Sequence, residues 1–301
     1  MSHNKSLALA LIITLVILFA EFFGGIFSNS LALISDAGHM LTDVMALTLS
    51  LLAAYFAVRP ATKEKTFGFY RLEILSALLN GVVLTLVAIF IFYEAYQRLF
   101  HPAEVQGGLM LVIAMVGLAA NAASAWILSA GSSHNLNLKG AYLHVISDLI
   151  SSVGVVIAGL IIIFTGYRTI DPIVSFLIGL LILRGALWLV YDSANILLES
   201  APEGINTDDV AKTIKSVRGV KDLHDLHVWT ITSGLNAISA HLLIKDDEAD
   251  RAPEILKELN ERLKKSYNIS HSTFQTECVS CPEGLICKME PKEEHGHQHD
   301  H

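Results

Sequence analysis

Residues 149–167 read LISSVGVVIAGLIIIFTGY and contain no charged side chain. A helix needs about 20 apolar residues to cross the hydrocarbon core of a bilayer, and this stretch meets that length. The whole chain of 301 residues is 52% hydrophobic, with a mean hydropathy of +0.51, which exceeds the composition of ordinary soluble domains. The stretch therefore indicates a membrane-spanning helix in an integral membrane protein.

Apolar stretches of similar length lie on both sides of this one. Together they predict six spans, at Leu7 to Phe27, Leu31 to Val58, Leu72 to Tyr96, Gly108 to Ala130, Ala141 to Phe164 and Pro172 to Tyr191. The first span is too long for a cleaved signal peptide and has no small-residue cleavage site before Glu21. We therefore assign residues 1–198 to a six-helix, all-α transmembrane domain that sits in a lipid bilayer.

The distribution of basic residues predicts how the spans are oriented, because short loops rich in Lys and Arg stay on the cytoplasmic side. The third and fifth connections hold only Arg98 and Arg168. The second and fourth connections hold more: Arg59, Lys63, Lys65, Arg71 and Lys139. Both termini are therefore predicted to be cytoplasmic, in a plasma (inner) membrane of the bacterial type.

The chain takes on the ordinary charge density of a soluble domain after about Glu199. Asn206 or Thr207 is placed to cap an amphipathic helix, and apolar residues at helical spacing predict a second helix near residues 255–263. Three strands are predicted at Leu223 to Thr232, Ala237 to Lys245 and Ser270 to Glu277. The order αββαβ predicts a small, ferredoxin-like α+β domain over residues 199–278, with helices on one face of the sheet.

Two predicted spans carry ionisable residues, which are costly inside a bilayer and need a reason to be there. The second span contains His39 and Asp43, and the fifth contains His144 and Asp148, with the same four-residue offset. Residues four apart lie on one face of a helix, so each span offers one imidazole and one carboxylate. Two imidazoles and two carboxylates match the tetrahedral preference of Zn²⁺ and neutralise its charge. The repeat of the motif favours a metal site over isolated capping or hydrogen-bonding residues.

Other polar residues within the spans have simpler explanations. Asp36 lies one turn before His39, where it would either orient the imidazole or serve as a polar packing residue. Glu21, Asn80 and Asn121 are each expected to form hydrogen bonds between helices.

Several segments of the chain closely resemble the cation diffusion facilitator family, in its zinc-resistance (cobalt-zinc-cadmium) branch. The resemblance rests on residues 29–43, on 65–73 (KTFGFYRLE) and on the His144 to Asp148 motif. In the soluble part it rests on 224–229 (HDLHVW) and 239–241 (SAH), so it extends over nearly the whole chain up to Glu277.

The resemblance implies a homodimer that exports Zn²⁺ from the cytoplasm in exchange for H⁺, with Cd²⁺ and Co²⁺ as further substrates. Carried over by position, His39, Asp43, His144 and Asp148 become the transport ligands. The soluble domain is implied to bind further zinc, as a structural or regulatory ion. Its candidate ligands on the three predicted strands are His224, His241, His271 and Glu277. His227 is expected to be an exposed strand residue rather than a ligand.

Residues 279–301 form a tail rich in Cys and His, predicted to be flexible. Cys278 and Cys281 form a CxxC that chelates zinc well, although a redox-exposed, disordered end is the alternative. Some members of the family pair such a motif with a histidine near the start of the chain, a part that His3 would take. Cys287 has no assigned role, and the run His295 to His301 is either a native metal-collecting segment or a purification tag.

Other classes of protein fit the sequence less well. No HExxH occurs in the chain, so an intramembrane metalloenzyme lacks its usual motif, and a zinc sensor would not need two charged motifs inside the membrane. The formal net charge of −8 offers no basic surface for nucleic acid.

Overall fold

The computed structural model describes residues 3–57, 62–132 and 136–277. Within these ranges it describes the side chains at all positions except 3–11, 42–43, 46–47, 49–57, 130–132, 136–141, 143–144, 246 and 249. The chain divides into two compact units, with the boundary between Ser193 and Ala194.

The described residues of the first unit form six helices, and the predicted helical architecture of this part is confirmed. They are α1 (His3–Ser28), α2 (Leu31–Ala57), α3 (Arg71–Phe100), α4 (Gly107–Ser132), α5 (Leu136–Thr165) and α6 (Ile170–Leu197). Within the described residues, four helical ranges are long and apolar enough to cross a membrane: Arg71–Phe100, Gly107–Ser129, Val145–Thr165 and Ile170–Leu197. Shorter apolar helical ranges cover Ile12–Ser28 and Leu31–Leu41.

Helices α1, α2, α4 and α5 pack against one another, and α3 packs on α2. Glycines allow several of these close contacts, because a backbone without Cβ lets a neighbouring helix approach. An added Cβ at Gly24 of α1 would stand 2.3 Å from the Ile113 side chain of α4. One at Gly81 of α3 would stand 2.8 Å from Val190 of α6. These two glycines thus allow the close approach of α1 to α4 and of α3 to α6.

The first turn of α2 is held by an acid from a distant part of the chain. Asp171, which is fully buried at the start of α6, accepts hydrogen bonds from Ser30 Oγ (2.6 Å), Leu31 N (2.8 Å) and Ala32 N (3.2 Å). The N–H groups of a first helical turn have no partner within the helix, and the helix dipole favours an anion there. Arg98 lies 3.8 Å from the same carboxylate. Asp171 therefore fixes the position of α2 relative to α6 and α3.

The second unit has the predicted order αββαβ, with a 3-10 turn at Asp246–Arg251 before the second helix. Its elements are α7 (Thr207–Lys215), β1 (Val220–Thr232), β2 (Leu235–Ile244), α8 (Ala252–Tyr267) and β3 (Ile269–Glu277). The Asn206 side chain accepts a hydrogen bond from Asp208 N, which confirms the predicted cap of α7. The sheet order is β1-β2-β3, with β1 antiparallel and β3 parallel to β2.

The two faces of this sheet differ in chemistry, because side chains alternate along each strand. Ala240 and Leu242 of β2 belong to the hydrophobic core that α7 and α8 complete with Ile214, Leu259 and Leu263. His241 lies between Ala240 and Leu242 in the strand, so it points to the opposite face. The core thus orients the polar residues of alternate positions away from the helices.

Candidate metal sites

The first candidate site lies between α2 and α5. His39 Nε2 is 3.5 Å from Asp148 Oδ1, and the Asp148 side chain is only 3% exposed. An imidazole and a carboxylate in such proximity are two of the donor types that Zn²⁺ prefers. The structure therefore brings together one residue from each of the two predicted motifs.

The two helices run antiparallel at this point. Asp36 of α2 lies against Ser151 of α5, and His39, one turn later in α2, lies against Asp148, one turn earlier in α5. One further turn towards the end of α2 and one towards the start of α5 bring the backbone positions of Asp43 and His144 towards the same level. The side chains of these two predicted ligands lie outside the described part of the chain, so their roles stay predictions.

Asp36 links the helices through its carboxylate. It accepts a hydrogen bond from Ser151 Oγ at 2.5 Å and one from Ser152 Oγ at 3.3 Å, and Ser152 in turn accepts one from Asn121 Nδ2 of α4 at 3.2 Å. These bonds place Asp36 in a buried network across α2, α5 and α4, next to the His39–Asp148 pair. The prediction of an interhelical hydrogen bond is confirmed for Asn121.

The same prediction was wrong for Glu21 of α1. This residue is 1% exposed, and neither of its carboxyl oxygens has a hydrogen-bond partner among the described residues. The carbonyl oxygen of the Asn80 side chain likewise has none within that part of the chain. Spacing along one helix does not reveal what the neighbouring helices place opposite a polar residue, which is why the sequence could not foresee the case of Glu21.

The second candidate site lies on the sheet of the other unit. His224 of β1, His241 of β2 and Glu277 of β3 offer ligand atoms that all lie within 4.8 Å of one another. Glu277 Oε2 is 3.3 Å from His224 Nε2, and Glu277 Oε1 is 3.0 Å from His241 Nδ1. His224 pairs directly with His241 in the antiparallel register, which brings the two imidazole rings to a centroid distance of 5.0 Å. Two imidazoles and a carboxylate at this separation can bind a divalent metal ion.

Two further residues adjoin this cluster. Asp225 Oδ2 is 3.7 Å from His241 Nε2, and Asp225 Oδ1 is 3.1 Å from His227 Nε2. Asp225 has a positive φ of 51°, and the β1–β2 register shifts between His224 and His227. This irregularity turns Asp225 toward the histidines. Asp225 was not among the ligands predicted from the sequence, where an aspartate inside a predicted strand was the only signal for it.

His271 lies apart from the cluster within one chain. It pairs with Ala237 in the parallel register, four positions before Gln275, which pairs with His241. Four residues of a strand span about 13 Å, so His271 is on the same face but distant. Its role as a ligand stays a prediction. His3 lies in α1 with its side chain outside the described residues, and Cys278, Cys281, Cys287 and the His-rich tail lie outside them altogether.

Comparison with family models gives matches to both units. The cation efflux transmembrane domain matches residues 7–198, and the cation efflux protein cytoplasmic domain matches residues 202–278. The chain belongs to the cation diffusion facilitator (cation efflux) family. This family consists of transporters and not enzymes, and the apolar helices of the first unit agree with a multi-pass membrane transporter.

Named relatives align with most of the chain. The metal cation efflux system protein CzcD of Cupriavidus metallidurans is 45% identical over 93% of this chain and 88% of its own length. The cadmium, cobalt and zinc/H⁺-K⁺ antiporter of Bacillus subtilis is 40% identical, with 98% and 97% covered. The zinc transporter ZitB of Escherichia coli is also 40% identical, with 100% and 95% covered. These names place the cation efflux protein described here in the zinc, cadmium and cobalt branch.

Proposed function

We propose that this cation efflux protein is a homodimer that exports Zn²⁺ from the cytoplasm in exchange for protons, with Cd²⁺ and Co²⁺ as further substrates. The observation that carries the proposal is the pair formed by His39 and the buried Asp148 between α2 and α5. A histidine and an aspartate at such depth are costly without a cation to bind.

The proposed transport site consists of His39, Asp43, His144 and Asp148. The packing of α2 and α5 supports this assignment, because Asp36 lies against Ser151 and His39 lies against Asp148, as expected for antiparallel helices whose next turns carry Asp43 and His144. Two carboxylates and two neutral imidazoles complete a tetrahedral shell and cancel the charge of Zn²⁺. That cancellation lets the ion occupy a site inside a bilayer.

Proton exchange follows from the same ligands. Imidazole titrates near pH 6.5 when unperturbed, so protons from the external side compete with Zn²⁺ for the ligand nitrogens once the site faces outward. Two protonated imidazoles beside two carboxylates again leave the site neutral, which allows the empty carrier to return through the membrane. The antiporter name of the Bacillus subtilis relative supports this coupling.

The second unit is proposed to be a cytoplasmic domain that binds a structural or regulatory Zn²⁺ through His224, His241 and Glu277. The proposal also places both termini in the cytoplasm of a bacterial-type inner membrane. We further propose the division into residues 1–198, 199–278 and a metal-collecting tail over 279–301.

A flux assay in proteoliposomes tests the proposed function. Purified full-length protein is reconstituted, Zn²⁺ is added on the side of the soluble domain, and zinc movement is followed with and without a proton gradient directed towards that same side. We expect flux that saturates with Zn²⁺ and that the gradient accelerates. Absence of zinc flux would contradict a carrier, and flux indifferent to the proton gradient would contradict exchange.

A further inference from the structure

Glu21 of α1 is a buried acid that the proposed set of zinc ligands does not include. It is 1% exposed, and its two carboxyl oxygens have no hydrogen-bond partner among the described residues. An ionised carboxylate in that environment is strongly disfavoured, because neither water nor protein donors replace its hydration. Ionisable groups inside a membrane domain commonly mark ion pathways or proton relays.

The neighbouring helix makes room for this carboxyl group. A Cβ added at Gly117 of α4 would stand 2.3 Å from Glu21 Oε1, closer than any real contact allows. The next nearest atom to that Cβ outside Glu21 belongs to Ile17, at 3.5 Å. The carboxyl group therefore lies in a niche between α1 and α4 that only a glycine at position 117 leaves open.

Glu21 also lies at the depth of the His39–Asp148 pair. With a rise of 1.5 Å per residue, it is about 10 Å from the α1 end at Ser28, and His39 is about 12 Å from the α2 start at Leu31. Since Ser28 and Leu31 adjoin in the chain, the two residues are at nearly the same level. Both α2 and α5 pack against α1.

The charged groups that surround Glu21 come from these helices. Asp36 of α2 and Asp148 of α5 are described acids on the two helices that pack against α1 and lie near this level. His39 is the other described titratable residue near this level, and α4 has no titratable side chain from Gly107 to Ser132. The remaining titratable positions of the proposed site are Asp43 and His144, whose side chains are outside the described part.

We infer that Glu21 carries one of the exchanged protons: its carboxyl group takes up a proton as Zn²⁺ leaves the α2–α5 site and releases it as Zn²⁺ returns. Glu21 takes one of the two protons assigned above to the imidazoles: the emptied site then keeps one net negative charge, and this charge favours the neutral form of an acid nearby. One proton binds at Glu21 for each Zn²⁺ released, and no covalent bond other than O–H changes. The inference rests on the proposed function.

Two transport measurements on Glu21→Gln test this role. The first is the number of protons moved per Zn²⁺, from a pH dye and a zinc dye in the same proteoliposomes. The second is the exchange of isotopic zinc across the membrane at equal zinc concentrations, in which the carrier returns loaded and needs no proton. We expect the proton number to fall by one while zinc exchange is retained. Glu94→Gln serves as the control, because Glu94 is a partly exposed acid on α3 that pairs with Arg98.

An infrared difference spectrum of the wild-type protein provides a test that does not require a folded variant. Adding Zn²⁺ should remove the carbonyl band of a protonated carboxyl group, and Glu21→Asp should shift that band. No such loss in the wild type, an unshifted band in Glu21→Asp, an unchanged proton number in Glu21→Gln or loss of zinc exchange in a folded Glu21→Gln would each overturn the inference. Wild-type flux without any proton coupling would instead contradict the proposed function itself.

Discussion

The two candidate metal sites of this protein differ in how the chain assembles them. His39 and Asp148 belong to two copies of one motif, and each copy is complete within a single turn of a helix. His224, His241 and Glu277 come from three different strands, and only the register of the sheet brings them within 4.8 Å of one another. Helical periodicity thus indicates the first site from the residues alone, whereas the ligands of the second site were predicted only through the resemblance to the family, because their convergence depends on strand register.

The surroundings of the two sites also differ. Asp148, the carboxylate of the first site, is 3% exposed among apolar helices, whereas Glu277, the carboxylate of the second site, is 22% exposed on the open face of a sheet. A charge left without its counter-ion costs far more in the first environment than in the second, where water replaces the lost partner. We therefore expect the loss of a ligand to be nearly all-or-none in the membrane unit and graded in the sheet unit.

The largest effect is expected for Asp148→Ala. Removing one of two carboxylates leaves the bound cation with an uncompensated charge at membrane depth, which costs about 3 to 5 kcal/mol, or at least about a hundredfold in zinc flux. Zinc flux in proteoliposomes measures the loss, and Asp192→Ala on α6 provides the matched control. Flux in Asp148→Ala within a few-fold of wild type would remove Asp148 from the transport site.

Asp171→Ala should have the next largest effect, because it acts on the position of α2 without touching the proposed ligands. The change leaves Ser30 Oγ and the N–H groups of Leu31 and Ala32 without their buried acceptor, at a cost of about 2 to 4 kcal/mol of stability. Thermal unfolding in detergent measures the stability, and Asp171→Asn should lie between the variant and the wild type.

The same variant tests whether the two units are independent of each other. Zinc flux should fall in Asp171→Ala, while zinc protection of β1, β2 and β3 against hydrogen exchange should be unchanged. Equal loss of both properties would show that the units are not independent in stability, contrary to our expectation.

Features with a local pattern could be predicted from the sequence, whereas features that depend on distant residues could not. Hydrophobic length predicted the helices, and the four-residue spacing predicted which faces of α2 and α5 carry His39 and Asp148. The acid that caps α2 lies 140 residues from Leu31 in the chain, so no local pattern could point to Asp171. Likewise, Asp225 reaches His241 only because its backbone adopts a positive φ at a register shift of β1. Long-range pairing and local backbone irregularity are the two features that the sequence pattern does not contain.

His241→Ala should affect the sheet unit alone. If Zn²⁺ binds His224, His241 and Glu277, zinc at 100 times its dissociation constant stabilises this unit by about 2.7 kcal/mol, and the variant should lose most of that gain. Hydrogen exchange of the three strands in the full-length protein, with and without Zn²⁺, measures it. Maximal zinc flux should be retained.

His271→Ala is the matched comparison for this experiment, because His271 lies on the same sheet face about 13 Å along the strand from the residue that pairs with His241. We expect His271→Ala to keep the zinc-dependent protection of the three strands, because this distance excludes His271 from a site built within one chain. If both histidine variants lost the protection equally, His271 would belong to the site, which would then require a second protomer.

The smallest effect concerns an ordinary ion pair in the same unit, between Lys215 of α7 and Asp222 of β1. Lys215 Nζ donates to Asp222 Oδ1 at 2.7 Å, and this bond, with a second one from Leu223 N, lowers the pKa of Asp222. A lowered pKa in the folded state stabilises the fold above the unfolded pKa of about 3.9, and the contribution is lost as the pH falls through the folded value. Both side chains are about half exposed, so we expect the ion pair to contribute less than about 1 kcal/mol of stability, and salt to weaken it further.

The stability difference between wild type and Asp222→Asn, taken from hydrogen exchange of β1 in zinc-free protein, should therefore shrink from pH 6 towards pH 3. A stability difference that grew towards low pH would show that the Lys215–Asp222 pair is not its cause. A small difference that salt weakens would distinguish this surface ion pair from the zinc-dependent stabilisation, which is expected on the face of the sheet that the helices do not cover.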